Sequence, residues 1–296
     1  AFIEKNKFII IANSDNKQLF HLFEIGKQVN LIFSTTLDAS GACIDMKYME
    51  DGCFVILEER SIKIYKIVDV KIKLVAKIHI KQKLLNNSLD YCNYLRLIVF
   101  LNENGNCIIL DNNGEFIVSL KDENRFTTCR INNQMLYLGT TRGCVLVYNL
   151  NGFKLYNSIG YEGSVKDKYM ANEKNSSQVG PSVCRLLIND ENIVIKYVDN
   201  SIYVTNLSGM LEKRKIKIFF SFSHFDKVNS ILWLNDDPKT FYTAADDQSI
   251  MCWGYRGDKW VNKYFDILKI FDSGLSNYSN LENRYSITCM TLHPRY

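Results

Sequence analysis

The chain has few of the residues and motifs that would indicate helices or a membrane span. Only three of its 296 residues are proline, and segments with helical period are scarce, while Ile, Val, Tyr and Phe gather in short runs. This combination favours strands. No apolar stretch approaches the roughly 18 residues that a membrane-spanning helix needs, and the first segment does not read as a signal peptide. We therefore expect an all-β protein without a membrane span.

Motifs that hold metals, phosphates or catalytic nucleophiles are also missing from the sequence. The nine cysteines form no Cys-x-x-Cys pair, and His21, His79, His224 and His293 stand far apart. Neither a zinc site nor a redox motif is therefore indicated. No Gly-x-Ser-x-Gly elbow and no phosphate-binding glycine loop occurs. We expect no enzymatic activity, no cofactor, no metal and no small-molecule substrate.

The number and placement of the cysteines favour a reducing compartment. Their odd number means that they cannot all pair, and most of them lie inside apolar runs. Scattered reduced thiols that act as small core residues fit a cytoplasmic protein. Cytoskeletal and nuclear locations are the alternatives. The net charge of +4 is mild and requires no polyanionic partner.

A sequence motif typical of a strand recurs along the chain: a polar turn, then Ile or Val alternating with another residue, then a large or aromatic side chain. Its copies end at Phe23, Tyr65, Leu110, Tyr148, Thr205 and Trp253, in steps of 42, 45, 38, 57 and 48 residues. Repeats of roughly 40–45 residues with several short strands each are typical of β-propeller blades. The recurrence therefore predicts a β-propeller.

Each repeat divides into four short strands. The first complete blade is predicted at 41–50, 53–59, 61–69 and 71–80. The second is predicted at 88–95, 96–102, 106–111 and 114–121. A third runs from Phe126 to Tyr161, a fourth from Ser182 to about Phe222, and a fifth from Val228 to about Phe271. Residues 1–296 are thus expected to form one propeller domain or a large part of a longer array.

The two ends and one internal segment depart from this rhythm. Residues 8–37 supply three strands without an inner one, and residues 286–295 resemble an inner strand alone. Either the two ends share one blade and close a ring, or the chain is cut from a longer array, which we favour slightly. The closed ring would have six blades, and we expect a propeller of about six to seven four-stranded blades. The polar segment 162–181 is predicted to be a surface excursion between blades, with a partner-docking segment as the alternative.

Lysines cluster in two places. From Lys63 to Lys83 they alternate with apolar residues, which predicts apolar side chains on one sheet face and ammonium groups on the other. A second cluster contains Lys213, Arg214 and Lys215. We expect both lysine clusters to lie on the outermost strands of their blades, where lysine discourages aggregation between sheet edges. The alternative is that they form a basic rim that binds phosphate groups. The candidate partner contacts are Lys213, Arg214 and Lys215, together with Trp260.

Two phrases resemble WD repeats, namely Asp-Asn-Ser-Ile-Tyr-Val at 199–204 and Asp-Gln-Ser-Ile-Met-Cys-Trp at 247–253. The order of parts is similar to that of the mitogen-activated-protein-kinase-binding scaffold family, whose members carry two successive WD propellers. A blade with Cys-Val-Leu-Val-Tyr-Asn at 144–149 precedes the polar excursion, and a Trp-bearing blade follows. The resemblance covers about residues 88–296 and, more loosely, 8–70. It implies WD-like blades.

The resemblance further implies a non-catalytic scaffold that recruits kinase-pathway, spindle or centrosome components. Our first hypothesis is accordingly a propeller whose loops bind protein partners. The alternative is a basic-rim propeller that binds phosphoinositide or nucleic acid. The Phe-Arg-Arg-Gly signature of lipid-binding propellers is absent from the sequence, which makes this alternative the weaker one.

Overall fold

The computed structural model of the chain consists of short β-strands joined by turns. It describes residues 2–4, 7–14, 17–25, 28–37, 41–49, 51–69, 71–86, 88–160, 180–189, 191–199, 202–207, 228–234, 237–246, 250–256 and 259–265. These residues form 23 strands in six antiparallel sheets, five of four strands and one of three. The expectation of an all-β protein is confirmed.

The chain divides into two compact units. The described residues of unit 1 lie within 2–141 and 147–156, and those of unit 2 lie within 142–146 and 157–265. Sheets 1, 2 and 3 belong wholly to unit 1, and sheets 5 and 6 belong wholly to unit 2.

The first three sheets are simple meanders, in which strands adjacent in sequence pair with one another. Sheet 1 consists of β1 (Phe2–Glu4), β2 (Lys7–Ser14), β3 (Lys17–Ile25) and β4 (Val29–Leu37). Sheet 2 consists of β5 (Cys43–Tyr48), β6 (Cys53–Glu58), β7 (Ser61–Val68) and β8 (Lys71–His79). Sheet 3 consists of β9 (Asp90–Cys92), β10 (Leu97–Leu101), β11 (Cys107–Asp111) and β12 (Phe116–Leu120).

The remaining sheets repeat the same meander. Sheet 4 consists of β13 (Phe126–Asn132), β14 (Met135–Thr140), β15 (Val145–Asn149) and β16 (Lys154–Ile159). Sheet 5 consists of β17 (Val183–Ile188), β18 (Asn192–Tyr197) and β19 (Ile202–Asn206). Sheet 6 consists of β20 (Val228–Leu234), β21 (Asp237–Ala245), β22 (Ile250–Arg256) and β23 (Lys259–Phe265). The fourth strand predicted for sheet 5, ending near Phe222, falls outside the described residues.

The predicted strand divisions are confirmed for sheets 2 and 3 to within a few residues at each end, and four strands lie within the extents predicted for sheets 4 and 6. The predicted end of sheet 6 near Phe271 falls outside the described residues. The three strands predicted within residues 8–37 are confirmed as β2, β3 and β4. The prediction did not include β1, in which Phe2 pairs with Phe8 and Glu4 with Lys7. The short strand was missed because three residues are too few to show an alternating pattern. Residues 286–295 lie outside the described part of the chain.

The middle strands are buried on both faces because sheets of unit 1 pack face to face. In sheet 2, Phe54, Ile56 and Tyr65 pack against residues of sheet 1 such as Phe20. The ring of Phe20 stacks on that of Phe54 with centroids 5.3 Å apart. The alternate residues of the same strands, among them Val55, pack against sheet 3. A strand buried on both faces loses the polar positions that alternation would give it, which explains continuous runs such as Phe-Val-Ile-Leu.

Sheets 5 and 6 of unit 2 share a core of the same kind. Val194 and Val204 of sheet 5 lie in one cluster with Trp233, Phe241 and Trp253 of sheet 6. The ring of Trp253 stacks on that of Phe241 at 5.8 Å, and its Nε1 donates to Thr243 Oγ1 at 2.8 Å. The prediction that Trp253 is a core residue is confirmed.

Candidate interaction surface

The first strands of sheets 2, 3 and 4 lie next to one another, because β5 contacts β9 and β9 contacts β13. In unit 2, the first strands β17 and β20 are in contact, whereas in unit 1 β5 contacts β2, the second strand of sheet 1. Face-to-face packing of two sheets does not by itself bring their first strands into contact, because the first strand of one sheet can equally lie over the last strand of the next. The last strands of sheets 2, 3 and 4, namely β8, β12 and β16, lie at the opposite ends of these sheets, as β4 does in sheet 1.

Two aspartates, the half-buried Asp45 and the buried Asp90, join the first strands of sheets 2, 3 and 4. The Asp45 carboxylate accepts from Leu89 N at 3.2 Å, and the Asp90 carboxylate accepts from Ile131 N at 2.7 Å. The two acceptors are 45 residues apart, which is one repeat of the sequence. A carboxylate that bonds a backbone N–H of the following sheet fixes the spacing of the two strands, and such charge-assisted bonds are stronger than neutral ones. Each repeat is thereby tied to the next.

The two aspartates differ in their titration. Burial raises the pKa of Asp45, although the Leu89 N–H and the Arg130 charge partly oppose the shift. Burial acts in the same direction on Asp90, but the Lys47 ammonium 2.6 Å away and the Arg130 guanidinium hold the pKa of Asp90 below its usual value. Asp90 is therefore an ionised, paired carboxylate and a structural anchor.

A second buried polar cluster, the Glu58 network, lies where sheets 1 and 2 meet. Lys63 Nζ donates to Glu58 Oε1 at 2.7 Å, and Ser61 Oγ donates to the other carboxylate oxygen. Gln18 of β3 donates to Glu58 at 3.0 Å and to the Gly41 carbonyl at 2.7 Å. Lys63 and Glu58 are exposed by only 0% and 1%. Because these four side chains bond one another and Lys63 and Glu58 are closed to solvent, the Glu58 network holds sheets 1 and 2 together.

The placement of Lys63 corrects the sequence analysis, which assigned it to an exposed lysine face. Lys63 lies on β7, the third strand of sheet 2, and its side chain enters the core. Lys71, Lys73 and Lys77 of β8 are exposed on the outermost strand, as predicted. Alternation alone could not distinguish Lys63 from the others, because the signal lies in a partner, Glu58, five residues away.

No group of the kind that holds a metal is present in the part of the chain that the structure describes. His21 is half-buried and His79 is exposed. Burial raises the pKa of the Cys43 thiol to about 12 and also raises the pKa values of Cys107 and Cys129. A protonated thiol is a poor nucleophile and a poor metal ligand. These cysteines are core residues.

The candidate partner contacts identified from the sequence lie mostly beyond the described residues. Lys213, Arg214 and Lys215 fall there, as do His224 and His293. Trp260 lies on β23, and its backbone is paired with that of Tyr255. Of the polar segment 162–181, the described residues are Gly180 and Pro181, and Gly180 N donates to the Arg142 carbonyl at 3.2 Å.

The described surface of unit 1 has a recurring feature that sequence reasoning missed. On each of β4, β8 and β12 one residue is skipped in the pairing register, which makes a β-bulge at Ile32, Val75 and Ile117. Each bulged residue and the one before it are large, apolar and between 37% and 66% exposed. We call these the bulge pairs: Leu31-Ile32, Leu74-Val75 and Phe116-Ile117. An edge bulge blunts strand addition, and here it also turns apolar side chains outward.

One open pocket lies on the hairpin between β15 and β16. It has a volume of about 240 Å³, and its lining residues are Asn149, Asn151, Gly152, Lys154, Leu155 and Tyr156. No carboxylate, histidine or thiol is among them. The lining offers amide groups and one ammonium, which suit surface contacts better than catalysis.

The observations define an all-β protein of repeated antiparallel sheets with an apolar and basic outer edge. No protein-family model and no curated protein matches this chain. Among the described residues, no helix has the length and apolar character to cross a membrane.

Proposed function

We propose that this chain is a β-propeller of WD-like blades that acts as a non-catalytic scaffold for protein partners. The observation that carries the proposal is the side-by-side placement of β5, β9 and β13, with the outer strands of their sheets at the far ends. Radially arranged blades place their first strands together in this way. The repeat spacing of the sequence supports the same arrangement.

A binding role is favoured over catalysis by where the polar groups are used. Asp45, Asp90 and the Glu58 network bond protein groups and hold sheets together. The exposed groups of unit 1 include the apolar bulge pairs and the lysines of β8, which suit contacts with another macromolecule. A rigid repeat array with exposed edges and loops is well suited to recognition.

The pathway is a separate hypothesis. The resemblance to the mitogen-activated-protein-kinase-binding scaffolds suggests kinase-pathway, spindle or centrosome partners in the cytoplasm. It depends on sequence phrases alone. The basic-rim alternative retains some support, because Lys71, Lys73 and Lys77 are exposed on one edge strand.

Affinity purification of the tagged full chain tests the proposal. We expect stoichiometric protein partners that withstand about 0.3 M salt, at which exposed charge contacts are largely screened. Recovery of nucleic acid or lipid without any stoichiometric protein would contradict the scaffold role and favour the basic rim.

A further inference from the structure

We propose that the outer edge of sheet 2 is the docking site for an extended, acidic polypeptide segment with apolar side chains. The surface, here the β8 edge, consists of Lys71, Lys73, Leu74, Val75 and Lys77. The inference rests on the proposed function and adds to it the location of a binding surface and the chemistry of the partner.

At the β8 edge, lysines of two neighbouring strands face each other. Lys73 lies directly opposite Lys66 of β7, and both are exposed. Like charges in directly opposed positions destabilise a sheet. Lys71 is two residues away on the same sheet face, so three ammonium groups are close together. A partner with carboxylates removes this repulsion, which makes an acidic segment the complementary one.

The bulge at Val75 favours an extended segment over a flat anionic surface. Lys73 pairs with Lys66, and Lys77 pairs with Lys63 after the bulge. Because Lys66 and Lys63 are an odd number of residues apart on β7, Lys73 and Lys77 point to opposite faces of sheet 2. An extended segment that lies along β8 alternates its side chains between both faces and so meets both sets of lysines. Because the bulge opposes continuous backbone pairing, the segment is held by its side chains. A bilayer plane meets one face.

The exposed bulge pair favours a polypeptide over nucleic acid. Leu74 and Val75 lie between the lysines in the sequence and are both exposed. Apolar side chains of a peptide would remove them from water, whereas phosphates would not. Phosphate contacts alone therefore explain the lysines and leave the apolar pair unexplained. An acidic segment with apolar residues explains both.

The other two bulge pairs provide a matched comparison. Leu31-Ile32 and Phe116-Ile117 occupy the corresponding positions of β4 and β12. Neither β4 nor β12 contains a charged residue. If the β8 edge acts through lysines together with its bulge pair, the uncharged edges should not bind the same ligand.

The test measures binding of the full chain to a fluorescent peptide in which Asp and Glu alternate with Val and Leu, by anisotropy. A peptide with Lys at the acidic positions is the control probe. We expect binding of the acidic peptide, weakened at least about tenfold by Lys71→Glu with Lys73→Glu. Leu74→Ser with Val75→Thr should weaken it by about the same factor, whereas Phe116→Ser with Ile117→Thr should leave it unchanged.

The results that would overturn docking at the β8 edge differ from those that would overturn the scaffold role. Equal binding of the acidic peptide by wild type and charge-reversed chain, or no binding by either, overturns the inference. Binding of phosphatidylserine vesicles or of oligothymidine that the same charge reversal abolishes, without binding of the peptide, also overturns it. If cellular protein partners are still captured by the charge-reversed chain, the scaffold role stands and the β8 edge is not its docking site.

Discussion

At the residue scale, the buried charges are the features on which unit 1 depends most. Lys63 and Glu58 are both removed from water and satisfy each other together with Ser61 and Gln18. Desolvation makes such a pair costly to form, so its net contribution to stability is small. Removing one partner is strongly destabilising, because the remaining charge would stay buried without its partner.

The first prediction is therefore that Lys63→Ala destabilises the chain by about 3–5 kcal/mol, measured by urea unfolding. The double variant Lys63→Met with Glu58→Leu should recover most of this loss, because it leaves no buried charge. Lys83→Ala, which removes the exposed ion pair with Glu59, is the control and should leave the midpoint unchanged. A Lys63→Ala chain as stable as wild type would show that the ammonium reaches solvent.

The second prediction concerns Asp90 and pH. Because the pKa of Asp90 is lower in the folded protein than in the unfolded chain, its ionised form adds stability above the unfolded pKa of about 3.9. That contribution is lost as the pH falls through the lower, folded pKa. The stability difference between wild type and Asp90→Asn should thus be largest near pH 7 and shrink below about pH 4.

Asp45 supplies the matched control for this experiment. The pKa of Asp45 is raised in the folded protein, so its ionisation costs stability at neutral pH. The free energy of unfolding of wild type should therefore rise relative to that of Asp45→Asn as the pH falls. The measurement is the urea midpoint of the three proteins from neutral to acidic pH. If wild type and Asp90→Asn differ in stability by the same amount at neutral and at acidic pH, Asp90 is not the ionised, paired carboxylate described above.

At the scale of elements, strand existence and order were predictable and the details of the edges were not. The repeat of polar turn and alternating apolar residues predicted the individual strands of sheets 2 and 3 and the positions of sheets 4 and 6, because turn residues and β-branched runs act locally. The bulges at Ile32, Val75 and Ile117 depend on pairing with a neighbouring strand. No local signal distinguishes them, so the exposed bulge pairs were missed.

The candidate site shows the same division between local and non-local information. The exposed lysines of β8 followed from alternation, whereas the burial of Lys63 depends on contacts with Glu58 and with Gln18 of another sheet. The role of Asp45 and Asp90 could have been suspected from their spacing of one repeat. Spacing cannot show that each accepts a backbone N–H from the next sheet.

The third prediction tests a turn that carries contacts between sheets. Gly105, between β10 and β11, has φ of +73°, and a Cβ there would lie 2.4 Å from Arg125 Cβ and 2.8 Å from Arg125 Cα. Gly105→Ala should cost at least about 1–2 kcal/mol from the left-handed conformation alone, and more from the overlap with backbone atoms. Calorimetric unfolding of the full chain measures the loss.

Gly41→Ala is the control for this substitution. Its Cβ would meet Glu58 Cβ at an ordinary 3.9 Å, and Gly41 has no positive φ. We expect a melting temperature close to that of wild type. A Gly105→Ala chain that melts together with the Gly41→Ala chain would contradict the close approach of the β10–β11 turn to the start of sheet 4.

At the scale of the whole molecule, the proposal joins repeats of one kind into a propeller. Within unit 1, sheets 1, 2 and 3 pack face to face, and the first strands of sheets 2, 3 and 4 follow one another. Within unit 2, sheets 5 and 6 share one core. If each repeat is placed in the same way relative to the one before, the repeats form a ring. We then expect partners to bind at the loops and outer edges of this ring.

A crystal structure of the full chain is the measurement that tests this arrangement most directly. The account predicts four-stranded sheets set radially, with β5, β9, β13, β17 and β20 as the innermost strands around a common axis. A two-layer sandwich of the same strands would contradict the propeller. Histidines and carboxylates gathered around a bound metal would contradict a role without catalysis.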